Sequence, residues 1–479
     1  MSSRKLWTIL APTTLLVSGV LLLLLMPSCL HSTSGSQNRS VMDLDLPQGW
    51  TNVTGSVSPA ALGGGMMAYD SSADLFVLFG GSDGEPTNGT WTLSPQDGQW
   101  TKLNPLVSPP ARADGMFVYD ERERAFVLFG GWYEPSVEWY TRFGDTWVFY
   151  LENATWIERH PSSSPPPRSD SAVGYDPASG AFIVFGGFDG TYLGDMWSYD
   201  FLNNTWRTLT SQGMPSPRAD GRLTYDPSTR AFYLFGGNDY SGPNRAFHHL
   251  GDTWRYRFNG NSWSELFPAV SPAPRDYAVF ATVGVNGELL TIGGYGNKSV
   301  LGDLWTFNTS REAWADVTVP GGPSPRMAGV GGYAPPDDVF VVFSGADLTS
   351  GKTDTWFLRY PPPLMGQIQT SSTTVQVGQS LTLTAESVGG SGFIVHAGWD
   401  FGDGNTASGF VASHAYALAG IFSVRFTAVD DHGDSVVREI LVTVANSLPT
   451  WEAGGILIIV VVGGTAIILI TKRRRRTRE

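Results

Sequence analysis

Three Arg-x-Asp triplets stand out as possible chemistry: Arg112–Asp114, Arg168–Asp170 and Arg218–Asp220. Arg275 is followed directly by Asp276, and Arg326 has no such Asp. Gathered around one channel, Asp114, Asp170 and Asp220 would form an acidic ring that attracts cations or polyol hydroxyls. Asp114 and Asp170 would also suit the acid and base of glycoside hydrolysis. The opposing reading is local: each Asp caps a turn or pairs with its Arg to hold a joint. Repetition in register favours the local reading. A second group is aromatic. WYEPSVEWYTRF (132–143) and NDYSGPNRAFHHL (238–250) carry Trp132, Tyr133, Trp139, Tyr140, Tyr240 and Phe247 near Arg245, His248 and His249. Exposed aromatics beside such groups suit sugar faces or peptides. Alternatively, the two stretches pack on each other as a lid. Adjacent histidines in an extended segment point apart, so His248-His249 is not read as a metal pair. Asp400, Asp403, Asp430, Asp431 and Asp434 have the carboxylate density for calcium, but turn chemistry explains the first two equally well. No metal ligand, cofactor or catalytic set is assigned.

The elements that hold these residues are repeated. A β-rich run ends in two small residues six times: FVLFGG (76–81), FVLFGG (126–131), FIVFGG (182–187), FYLFGG (232–237), LLTIGG (289–294) and FVVFSG (340–345). A Trp follows each: Trp91, Trp147, Trp197, Trp254, Trp305 and Trp356. Five have a second Trp nine residues on: Trp100, Trp156, Trp206, Trp263 and Trp314. Arg112, Arg168, Arg218 and Arg326 each precede a Tyr by seven residues; Arg275 has Thr282 there, and the first unit has Leu62 where Arg is expected. Asp145, Asp195, Asp252, Asp303 and Asp354, each two residues before a Trp, read as structural turn residues. Four short strands in each unit of about fifty residues mean a propeller blade.

This pattern resembles the kelch repeat, the fold of the galactose-oxidase central domain, over residues 50–360. The departures are Leu62, Thr282 and Ser344-Gly345. Trp50 opens an outer strand with no inner strand before it, and the last unit has Met365 where its second Trp belongs. Residues 50–54 should therefore complete the last blade and close a ring of six, spanning 46–361. In kelch propellers the loop after the paired glycines shares a face with the links between blades. The resemblance thus places both aromatic stretches, and the starts of the inner strands, on one face. A copper-radical oxidase site of the galactose-oxidase kind needs a Cys that this body lacks.

After Pro361-Pro362-Pro363, GWDFGDG (398–404), HAY (414–416) and Gly420 before IFSVRFTAVDD resemble a PKD domain, an immunoglobulin-like β-sandwich, over 362–447. The resemblance puts Trp399 in its core and Asp400, Asp403 and Gly404 in a tight turn. Such domains serve as spacers or interaction modules.

The ends differ from the middle. Residues 6–26 are uncharged and follow Arg4 and Lys5, the plan of a signal peptide or signal anchor within 1–30. Cys29 is the chain's one cysteine, so the folded body has no disulfide or thiolate site. Residues 453–471 are uncharged and precede KRRRRTR in the tail 472–479. As a helix they would span about 28 Å, enough to cross a bilayer with the basic end inside. Net charge is −13; without the two basic residues before the first apolar run, and the six basic residues and Glu479 after the last, 23 basic and 43 acidic residues remain. A body at −20 is unsuited to phosphate backbones, so nucleic acid is excluded as a partner. Sequons at Asn38, Asn52, Asn88, Asn153, Asn203, Asn297 and Asn308 permit glycosylation.

The expected fold is all-β: a six-bladed kelch propeller, a PKD sandwich and a C-terminal transmembrane helix. The expected function is non-catalytic binding of an extracellular glycan or protein. The candidate site is Trp132, Tyr133, Trp139, Tyr140, Tyr240, Arg245, His248, Asp114, Asp170 and Asp220. The alternatives are a carbohydrate-active enzyme using the propeller mouth and a structural envelope component.

Overall fold

The computed structural model describes residues 49–446, apart from 61, 137–138, 241–246, 285–286, 362–363 and 391–392, together with the backbone of 456–462 and 465–471. The leader, Asn38, Arg245 and the basic tail lie outside the described residues, as does the Trp139 side chain.

Six four-stranded antiparallel sheets make the larger part. Blade 1 is Met66–Asp70, Leu75–Phe79, Thr90–Leu93 and Trp100–Leu103. Blade 2 is Met116–Asp120, Ala125–Phe129, Thr146–Tyr150 and Thr155–Arg159. Blade 3 is Ala172–Asp176, Ala181–Phe185, Met196–Asp200 and Thr205–Thr208. Blade 4 is Arg222–Asp226, Ala231–Asp239, His248–Arg257 and Ser262–Leu266. Blade 5 is Val279–Val283, Glu288–Ile292, Leu304–Asn308 and Ala313–Asp316. Blade 6 takes Val330–Ala334, Val339–Phe343 and Thr355–Arg359 from one end of the repeat and Trp50–Asn52 from the other. Trp50 pairs with Leu358 and Asn52 with Trp356. The inner strands touch one another around the full circuit, and Val330–Ala334 meets Met66–Asp70. Closure leaves no blade edge at the seam where the chain enters.

The second strands of blades 2, 3 and 6 are apolar throughout because blades pack on both of their faces. Their terminal Phe meets the outer-strand Trp of the next blade: Phe79 and Trp156 lie 4.7 Å apart by ring centroid, and Phe129 and Trp206 also 4.7 Å. The paired glycines let the blades approach. Gly236 has φ +68°, and a Cβ there would sit 2.5 Å from the Arg275 carbonyl oxygen.

The second domain has a three-stranded sheet (Met365–Thr370, Ser380–Val388, Val411–Ala415) and a five-stranded one (Thr374–Gln376, Ser435–Ala445, Gly420–Asp430, Ile394–Asp400, Thr406–Ser408). Trp399 fills the core between them, 2 % exposed and 4.9 Å from the Phe426 ring.

The expected C-terminal helix is corrected. Ile456–Val462 and Thr465–Thr471 pair as an antiparallel hairpin, with Val462 opposite Thr465. The segment is rich in β-branched residues, and Gly463-Gly464, a favoured hairpin dipeptide, separates the two runs in sequence. Among the described residues, no helix is long and apolar enough to cross a membrane.

Candidate binding face at the propeller mouth

The repeated arginines are structural. Arg112, Arg168, Arg218, Arg275 and Arg326 are at most 3 % exposed. Each grips a carboxylate with both terminal nitrogens: Arg112 holds Asp145, Arg168 Asp195, Arg218 Asp252, Arg275 Asp303 and Arg326 Asp354, at 2.6–3.0 Å. The same Asp accepts the indole N–H two residues on, as Asp252 does from Trp254 at 2.6 Å. The expected local pairing is therefore corrected: the joint uses the Asp before each Trp, not the Asp of Arg-x-Asp. Blade 1 lacks both partners, with Leu62 for Arg and Gly89 for Asp.

Asp114, Asp170 and Asp220 lie instead at the mouth. They occupy the same left-handed position in successive blades, with φ of 51°, 61° and 57°; Gly64, Tyr277 and Ala328 hold it in blades 1, 5 and 6. Asp170 N–H donates to the Asp114 carbonyl (2.9 Å), and Asp220 N–H to the Asp170 carbonyl (2.8 Å), making a backbone collar. All three line a central cavity of about 220 Å³ together with residues of all six blades. Asn238 donates to Asp220 Oδ2 (2.9 Å) and Asp276 Oδ2 (2.8 Å), which brings in a fourth carboxylate. Burial first, then the charges of Asp170, Asp276 and Asp114, push the Asp220 carboxyl well above the usual carboxylate range, while Arg222 opposes them. The Asp220 charge, burial and the other mouth carboxylates hold the Tyr277 hydroxyl protonated.

A second ring position is the residue after each glycine pair. It bridges to the residue after the repeat Arg, as Ala113 to Trp132 and Ala219 to Asn238. The six occupants are Ser82, Trp132, Phe188, Asn238, Tyr295 and Ala346. Blades 2 to 5 thus present large or polar groups where blades 6 and 1 have small ones. Trp132 donates its indole N–H to Asp114 Oδ2 (2.7 Å) and stacks on Tyr140 at 5.8 Å. The Arg142 guanidinium lies over Tyr140 (4.3 Å) and Phe188 (4.8 Å). The arc continues through Tyr192, Tyr240, Phe247, His249 and Tyr295, at centroid distances of 4.9–6.0 Å. Tyr240 and Phe247 are 41 % and 42 % exposed.

Phe188 and Tyr192 of blade 3 link the described parts of the two inserts, Phe188 under the Arg142 guanidinium and Tyr192 against Tyr240 at 5.4 Å. The first insert is a hairpin, Trp132–Ser136 with Trp139–Arg142, and Tyr133 on it is half-buried. The second lengthens two strands, so Asn238 pairs with His249 and Asp239 with His248. The histidines point apart: His248 Nδ1 lies 3.5 Å from Asp239 and His249 Nδ1 3.3 Å from Asp276. Sequence reasoning missed Asp276, Asn238, Phe188, Tyr192 and Tyr295 as mouth residues. The signal was the position after the glycine pair, compared blade by blade.

The five acidic residues weighed for calcium divide. Asp400 Oδ1 accepts from Gly402 N–H (2.9 Å); Asp403 Oδ2 pairs with His414 (2.8 Å); Asp430 Oδ1 accepts from His432 and Asp434 N–H; Asp431 reaches Arg311 of blade 5 (2.9 Å). Among the described residues, no group of three or more His, Cys, Asp or Glu is placed to hold a metal ion. The sequon residues Asn52, Asn88, Asn153, Asn203 and Asn297 are exposed. Asn308 is corrected as a modification site: it is 7 % exposed, and its Oδ1 accepts from the Ser310 and Arg311 N–H groups inside a turn.

Six closed blades with a specialised mouth and a β-sandwich after them define a kelch-type interaction protein. The chain matches the KLHDC2/KLHL20/DRC7 Kelch-repeats domain over residues 31–237 and 210–380, and the PKD domain over 362–444. The chain belongs to the Kelch-repeat family and carries a PKD domain after the propeller.

Proposed function

We propose that this is a non-catalytic, membrane-held surface protein whose propeller mouth binds a polypeptide, with the PKD domain as its stalk. The observation that carries the reading is the aromatic arc from Trp132 to Tyr295 beside four carboxylates, confined to blades 2 to 5. Flat aromatic faces with a few placed polar groups make productive binding cores. The exposed rings of Tyr240 and Phe247 favour a second reading, in which the same face stacks on a glycan.

Membrane retention rests on the uncharged run 453–471 and the basic run after it. The run is apolar over a length that matches the hydrocarbon core of a bilayer, and the basic residues after it match a cytoplasmic border. The exterior placement follows from the basic side remaining inside. Deleting 450–479 is expected to move the protein from the membrane fraction to the soluble one.

The deciding experiment applies a random-peptide display library and a glycan array to the full-length chain in detergent. Binding to peptides, weakened at least about tenfold by combined Tyr240→Ala and Phe247→Ala, is expected. Unchanged binding in that variant sinks the site. Selective glycan binding favours the second reading, and turnover of any glycoside sinks the non-catalytic one.

A further inference from the structure

The two longest strands of the PKD domain, Gly420–Asp430 and Ser435–Ala445, form one hairpin of eleven residues a side. At about 3.3 Å per residue it is roughly 36 Å long. Its turn, 430–434, meets the propeller: His432 Nε2 lies 3.3 Å from Glu288 Oε1, and Asp431 pairs with Arg311 at 2.9 Å. Its open end, where Gly420 pairs with Val444, is the end remote from that contact. Two further segments are tied to the open end. Val377 N–H donates to the Ala445 carbonyl and Gly378 N–H to the Tyr416 carbonyl, both at 2.9 Å.

This end is apolar where it meets solvent. Leu418, Ile421 and Leu441 are 74 %, 69 % and 64 % exposed. Ile421 pairs with Thr443 and Ser423 with Leu441, so Ile421 and Leu441 are diagonal neighbours on the outer face of the sheet. Residues 376–379, 416–421 and 441–446 hold no Asp, Glu, Lys or Arg. Asp400, Arg425 and Glu439 share a rung four residues behind Ile421, or about 13 Å back. Asp403 is paired with His414 at 2.8 Å. One exposed leucine is ordinary, whereas three such side chains at an uncharged end make a patch.

The chain that leaves this end says what covers it. Seven residues, 446–452, separate Ala445 from the uncharged run 453–471, and Trp451 is among them. Fully extended, they reach at most about 25 Å. With the run in a bilayer, the patch is held within that distance of the lipid surface, and tryptophan beside the run suits the headgroup level. Three apolar side chains would recruit a free protein only weakly. On a tethered one they act at high local concentration and set its orientation.

We propose that the end of the PKD domain carrying Leu418, Ile421 and Leu441 docks on the lipid surface, so that the 420–445 hairpin stands up from the bilayer with the propeller at its other end. This rests on the membrane-held reading and adds the surface that makes the contact.

The test uses the full-length chain in phosphatidylcholine vesicles, with Cys29→Ser and one new cysteine carrying an environment-sensitive dye. At Ala419→Cys, beside the patch, lipid with a nitroxide headgroup should quench the dye about twofold or more. At Val437→Cys, on the same sheet face but about 20 Å behind Ile421, it should not. Adding Leu418→Asn, Ile421→Asn and Leu441→Asn should abolish quenching at 419 while the chain still floats with the vesicles. No quenching at 419, quenching that survives these substitutions, or equal quenching at 437, which lays the domain on its side, overturns the docking and leaves the membrane-held reading standing. Shielding of 419 in detergent that grows with protein concentration gives the patch to a second copy and also overturns it. A chain that does not float with the vesicles at all overturns both.

Discussion

At the residue scale, departures from the repeat prove to be paired. Ser344 replaces the first glycine of blade 6, and Leu62 replaces the arginine of blade 1; the two are neighbours. Ser344 Oγ accepts from Leu62 N–H (2.6 Å) and donates to the Leu62 carbonyl (2.8 Å). At this joint the Gly345 nitrogen is 3.3 Å from the Leu62 carbonyl oxygen, whereas the equivalent bond from Gly237 to Arg275 is 2.9 Å. Gly236→Ala lacks the compensating hydroxyl and drives a Cβ against the Arg275 carbonyl. It should cost about 2–4 kcal/mol, read as a lowered urea midpoint. The outer tryptophans give a second case. Trp206 donates to Thr146 of the preceding blade (3.0 Å), but Trp263 meets Met196 at that position and its N–H has no acceptor. Thr146→Val keeps the shape and removes the acceptor, so it should cost about 1–3 kcal/mol in the same measurement. An equal midpoint would mean that the indole bond contributes nothing.

At the scale of elements, the blade joint was half legible. Five arginines and five aspartates in register announce a shared role, but which pairs with which depends on contacts 27–34 residues apart. The hairpin at 456–471 was illegible for another reason: an uncharged, β-branched run satisfies either period, and only its surroundings decide. The mouth was legible where the inserts changed the repeat length, as with Trp132 and Tyr240. It was not where blades of ordinary length contribute, as with Phe188 and Tyr295. The joints also predict acid behaviour. Burial is the largest single influence on the Asp252 carboxyl and raises it; the Arg218 hydrogen bonds and charge, with the Trp254 N–H, together outweigh it and hold it below its ordinary value. Asp195, Asp303 and Asp354 are held down likewise by their Arg and Trp partners. A carboxyl lowered on folding stabilises fully above its unfolded value and loses that contribution as pH falls through the folded one. The propeller should therefore hold its stability down to about pH 4 and lose it steeply below, with uptake of several protons. Arg218→Ala, which strands Asp252, should cost about 3–5 kcal/mol at neutral pH. Circular dichroism against pH, with the variant beside the natural chain, checks both.

At the scale of the whole molecule, the question is whether propeller and sandwich act as one body. Glu288 answers it. It stands at the start of a second strand, where the other blades have Leu75, Ala125, Ala181, Ala231 and Val339, and is 1 % exposed. Its Oε2 accepts from Tyr360 OH at 2.8 Å, and His432 Nε2 of the PKD domain lies 3.3 Å from Oε1. Arg311 of blade 5 adds a second link, to Asp431 at 2.9 Å, with its guanidinium 4.9 Å from the Phe393 ring. Burial raises the Glu288 carboxyl above its ordinary value even though His432 pulls the other way. A carboxyl placed in an apolar strand at this cost has its use at the junction, not within the blade. The loop 430–434, turned by Asp430, therefore works as the clasp that fixes the PKD domain to the propeller. Combined His432→Ala and Arg311→Ala removes both links while leaving each core intact. Scanning calorimetry should show one joint transition for the natural chain and two resolved transitions for the variant, with limited proteolysis newly cutting near 361–364. A single unchanged transition in the variant would mean that the domains unfold together for reasons other than the clasp, or never communicated through it.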